Sequence, residues 1–68
     1  MISVIEDINK RLNINLTEDP DKLGIYSEQN GFDIISIDMN KHHPQLHVTK
    51  IHNLKMLTIV EQINEIIN

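Results

Sequence analysis

The stretch KHHPQLHVTKIH, Lys41 to His52, holds all four histidines of a 68-residue chain, together with two lysines and no acid. Imidazoles gathered in this way suit a metal site, a base beside a nucleophile, or a cationic surface. The chain has no cysteine, so a metal could be held only by histidine and carboxylate. A structural zinc needs about four ligands and a catalytic one about three, converging on one point. His42 and His43 belong to a loop, where they would grip an ion only weakly. His47 and His52 are an odd number of residues apart and would face opposite sides of a regular strand. Neither metal nor cofactor is expected.

The second chemistry needs a partner for the imidazole. In the strand register that best separates apolar from polar residues, His47 lies opposite Asp38, with Ser36 and Thr49 diagonal to it on the same face. Base, acid and hydroxyl are the components of nucleophilic catalysis. A flat sheet face, however, offers neither pocket nor oxyanion donors. The pair is read as cross-strand stabilisation of about 0.2 to 1 kcal/mol, and no enzymatic activity is expected.

These residues must be positioned by elements that the pattern also defines. In SVIEDINKRL, Ser3 and Glu6 have the spacing of a capping box, Ile5, Ile8 and Leu12 recur at helical spacing, and Glu6/Lys10 and Asp7/Arg11 are acid-first i,i+4 pairs. A helix over about 4–13 follows, with Asn13 and Asn15 suited to its end. LTEDPDKLG reads as a connector with one helical turn, Asp19-Pro20 starting it and Gly24 stopping it. Asn30-Gly31 between β-formers marks a hairpin that pairs Gln29 with Phe32 and joins strands over about 25–29 and 32–39. A third strand, about 46–52, follows the NKHHPQ loop.

Pairing Met39 with Leu46 sets Ile37 against Val48 and Ile35 against Lys50 on one face, and Asp38 against His47, Ser36 against Thr49 and Ile34 against Ile51 on the other. Tyr26 joins the first face, and Ile25 and Phe32 the second. In NLKMLTIVEQINEII, Asn53 is an N-cap, and Met56, Ile59, Val60, Ile63, Ile66 and Ile67 cover one side of a helix over about 54–67. The expected fold is one domain over residues 1–68. It is a two-layer α+β structure in the order αβββα, a three-stranded antiparallel meander with the N-terminal and C-terminal helices packed on one face.

Composition narrows the function classes. The longest apolar runs are two residues, such as Ile34-Ile35 and Ile66-Ile67, far short of the ~20 needed to span a bilayer. MISVIEDINK has acids where a secretory leader requires a basic start and a continuous apolar stretch. A cytoplasmic protein with no membrane partner is expected, in keeping with the lack of cysteine. The formal net charge of −4 is unevenly spread: from Glu18 to Asp38 there are six acids and one lysine, whereas from Met39 to Val60 there are three lysines, four histidines and no acid.

The αβββα order resembles that of double-stranded-RNA-binding domains. The resemblance extends to predicted topology alone. The basic cluster by which those domains grip phosphates at the start of their second helix is reduced here to Lys55, and their hairpin-loop sequence is missing. An acidic balance further opposes phosphate binding, and only Tyr26 and Phe32 could stack on single-stranded bases. An acyl carrier protein is excluded because neither internal serine, Ser27 or Ser36, follows an aspartate at the head of a helix.

What remains is the third strand, which a meander places at the border of the sheet, where its unpaired backbone groups could accept a strand from another chain or from a second copy. The leading expectation is a small non-catalytic protein-interaction module, similar in size and style to the acidic inhibitors that phages and mobile elements direct at host proteins, with homo-oligomerisation through the strand edge as one outcome. Its contact residues would be Lys41, His42, His43, His47, Lys50, His52 and Lys55, with Phe32 and Ile34 from the uncovered sheet face. The alternative is duplex-RNA-like nucleic-acid binding through the basic segment 41–55.

Overall fold

The computed structural model describes the backbone from Ile2 to Asn68 and side chains from Val4 onward. Two helices bracket an antiparallel sheet, giving the α+β order α1 (Ile2–Leu12), β1 (Thr17–Asp19), β2 (Lys22–Asn30), β3 (Asp33–Asp38), β4 (Gln45–Val48) and α2 (Leu54–Ile67). The strands lie side by side in chain order, so β1 and β4 are the two edges. The sheet thus has four strands where three were expected.

Helix α1 begins before the expected capping box, whose Ser3 side chain lies outside the described residues. At its other end Ile14 donates its N–H to the Asn9 carbonyl at 3.2 Å, with Asn13 at a φ of 53°. This is the left-handed closure that asparagine tolerates. Helix α2 occupies the expected span, and Asn53 caps it by accepting the Lys55 N–H at 2.8 Å.

The expected helical turn after α1 is instead β1 and a tight turn. Asp19 Oδ1 accepts the N–H of Asp21 at 2.8 Å, an aspartate turn closed by its own side chain. The fixed φ of Pro20 suits such a turn as well as it suits a helix start. Beyond the turn, Glu18 faces Tyr26 while Asp19 faces Lys22, so residues 23–25 bulge from the ladder. Gly24 is the pivot of that bulge rather than a helix stop. Its φ is 85°, its N–H reaches the Glu18 carboxylate at 2.7 Å, and its carbonyl receives Met39 N–H at 2.8 Å.

The next hairpin turns at Gly31-Phe32, with Asn30 paired to Asp33 and Gln29 to Ile34. Only Gly31 has positive φ there, 66°, which fits a turn with glycine at its first central position. Between β3 and β4 the register is also two residues from the expected one: Ile35 faces Val48, Ser36 faces His47, Ile37 faces Leu46 and Asp38 faces Gln45. The Asp38–His47 pairing is therefore overturned. Because both displacements are even, the residues that remain in the sheet keep their predicted faces.

The core joins Ile5 and Ile8 of α1, Leu16, Ile35 and Ile37 of β3, and Met56, Ile59 and Ile63 of α2. Both helices thus draw on the sheet face that carries Ile35 and Ile37. Ile51, expected on the other face, also packs against this core, since the chain has left the sheet by that point.

Candidate binding edge

Strand β4 is shorter than the pattern suggested. Its last ladder contacts run through Thr49, whose N–H bonds to the Ile34 carbonyl at 3.0 Å and whose hydroxyl, in place of its carbonyl, accepts the Ile34 N–H at 2.8 Å. That substitution frees the main chain to turn away. Lys50 and His52 consequently lie off the sheet, so the alternation argument that separated His47 from His52 no longer applies. What receives the departing chain is Asp33, whose carboxylate accepts the N–H of His52 at 2.9 Å and that of Asn53 at 3.0 Å. Asp33 is 1% exposed, and two backbone donors satisfy the acid that burial would otherwise penalise.

The ladder also fixes which backbone groups of β4 are free. In an antiparallel pair, residues alternate between those that aim N–H and C=O at the neighbour and those that aim them away. Thr49 bonds to β3, so His47 and Gln45 do the same, and Leu46 and Val48 direct their N–H and C=O groups outward. Leu46 packs against the core, whereas Val48 remains 37% exposed because no strand among the described residues lies beyond β4.

The opposite edge is treated differently. By the same alternation, anchored on the Gly24–Met39 bond, Thr17 faces β2 and Leu16 faces outward. Both outward groups of Leu16 are occupied: its N–H reaches Asn9 Oδ1 at 2.8 Å, and its carbonyl accepts Asn9 Nδ2 at 3.1 Å. The Asn9 amide copies the donor and acceptor of a strand and caps that border just before β1, leaving Glu18 as the one outward residue within the strand. With β1 only three residues long and followed by the bulge, β4 is the more open edge.

Around β4 the expected contact residues fall into two groups. Lys41, His42 and His43 are exposed on the loop that enters the strand, with the two imidazoles edge to face at 4.7 Å between centroids. Lys50, His52 and Lys55 are exposed beyond its far end, and His47 is exposed between the groups on the sheet face opposite the core. Phe32, 88% exposed, occupies the β2–β3 turn, and Ile34 is half-buried on the same outer face as Thr49. That face also carries a polar row running Thr17, Ser27, Ser36 and His47 across the four strands, in which the two serine hydroxyls share a hydrogen bond of 2.8 Å.

Chemically, the edge offers hydrogen bonds and positive charge. Among the described residues no pocket is found, and no group of three or more histidines, aspartates or glutamates is placed to hold a metal ion. No described helix is long and apolar enough to cross a membrane. Sequence reasoning singled out the cationic residues but missed Asp33 and Asn9 and read Thr49 only as a neighbour of His47, although these three shape the two borders of the sheet. An acid two residues before Ile35, on the inward alternation of Ile35 and Ile37, is the signal that could have revealed Asp33. The fold and edge define a small α+β protein whose sheet is open along β4 and partly capped at the shorter β1 border. No protein family matches the chain, and no curated protein or solved structure is found to be similar to it.

Proposed function

We propose that this protein is a non-catalytic interaction module of the cytoplasm that binds a partner protein by taking up a strand along β4. The observation that carries the reading is the asymmetry of the sheet: Asn9 saturates Leu16 at the head of β1, whose own outward residue is Glu18 alone before the bulge, while β4 leaves the outward groups of two residues, Leu46 and Val48, for another chain. Main-chain hydrogen bonds supply affinity in strand addition, and flanking side chains supply selectivity. Phe32 and Ile34 extend the contact onto the outer face near Thr49. An inhibitor-like role toward a larger protein suits a domain whose described residues present an edge and no cavity.

The test is affinity capture from the native host with the wild-type chain and with Val48→Pro. Proline removes the outward N–H of Val48, which the β3 ladder does not use, and edge strands accept it. Capture that depends on Val48 supports strand addition. Capture that survives in a folded Val48→Pro chain overturns it. Titration with duplex RNA and DNA at about 50 mM salt separates the nucleic-acid alternative, which requires binding that falls steeply as salt rises.

A further inference from the structure

We infer that the strand taken up by β4 is an acidic, extended segment in which an acid alternates with apolar residues. This rests on the strand-addition reading and names its partner. The pattern follows from the faces of β4. Residues of a strand added antiparallel that bond to Leu46 and Val48 share the sheet face of those two side chains. Leu46 touches the core and Val48 is a partly exposed apolar surface beside it, so apolar side chains are favoured at both positions. The residue between them emerges on the opposite face, next to exposed His47.

Charge fixes the nature of that middle residue and of its flanks. Lys41 and His43 stand before β4 and Lys50 after it, and no acid occurs anywhere from Met39 to Val60. A strand laid here meets donors and cations along its length with no carboxylate from the same segment to oppose them. Carboxylates beside His47 and at either end complement this field, and lysines there are repelled. A second copy of the chain paired through β4 would instead bring two such segments together, juxtaposing like charges.

The experiment is an NMR titration of the isotopically labelled full chain with two short capped peptides, one alternating glutamate with valine and the other lysine with valine. The acidic peptide should shift the Leu46 and Val48 amides, and the basic one should bind about tenfold or more weakly. Equal binding of both peptides, still centred on Leu46 and Val48, overturns the acidic inference and leaves strand addition intact. Shifts confined to the Lys41–His43 loop, with Leu46 and Val48 unmoved, overturn strand addition itself. Absence of any shift with the acidic peptide overturns the inference. Light scattering completes the set: a stable dimer of the free chain that Val48→Pro dissociates makes a second copy the occupant and overturns the acidic partner.

Discussion

Asp33 Oδ1 accepts the backbone N–H of His52 at 2.9 Å, across nineteen positions of sequence. Its second oxygen holds Asn53, so one buried carboxylate fixes the point where the chain leaves the sheet and starts α2. Asp33→Asn keeps the shape but replaces one acceptor by a donor facing an N–H. The expected loss is about 2 kcal/mol, within the range for hydrogen bonds to charged groups. Urea unfolding monitored by circular dichroism measures it, and a loss under about 0.5 kcal/mol would show that the clamp contributes little.

Asn9→Leu leaves the N–H and C=O of Leu16 without their partners and opens the β1 border. Stability should fall by about 1–3 kcal/mol, and the variant should self-associate at concentrations where the wild-type chain does not. Size-exclusion light scattering reads the second effect, and an unchanged mass would remove Asn9 from the role of edge cap.

The two glycines should respond unequally to alanine. Both have positive φ, but a Cβ at Gly24 would collide with the Asn40 side chain, which is held over the bulge by its bond to the Leu23 carbonyl at 2.9 Å. Around Gly31 nothing lies within 4 Å of that position. Gly31→Ala should therefore cost only the backbone term of about 1–2 kcal/mol, and Gly24→Ala distinctly more. Thermal melts of the two variants give the order directly, and equal midpoints would contradict the close approach of Asn40.

Phe32 is so exposed that Phe32→Ser should change folding stability by no more than about 0.5 kcal/mol. If Phe32 belongs to the contact surface, the same variant should weaken partner capture. A large loss of stability would instead place the ring in a packing role.

Much of the architecture was legible without coordinates. Ile5, Ile8 and Leu12 on one side of α1 and Met56, Ile59 and Ile63 on one side of α2 announce their helices through the 3.6-residue period, and Asn53 announces where α2 begins. The overlooked strand β1 has no such period. Three residues, two of them acids, carry too little pattern, and the strand exists because Ser27 and Tyr26 lie beside it and Asn9 anchors Leu16 just before it.

The sequence alone determined the kind of each major element except β1, the faces of the residues that β2, β3 and β4 share with the expected strands, and the concentration of cationic residues in segment 41–55. Those properties depend on local spacing, which tertiary contacts left unchanged. The register, the length of β4 and the existence of a second border strand, β1, were decided only in three dimensions. Alternation has a period of two, so a displacement of two residues leaves every apolar side chain on its proper face and is invisible to pattern. It was resolved by long-range hydrogen bonds: Thr49 to Ile34, Asp33 to His52, and Asn9 to Leu16.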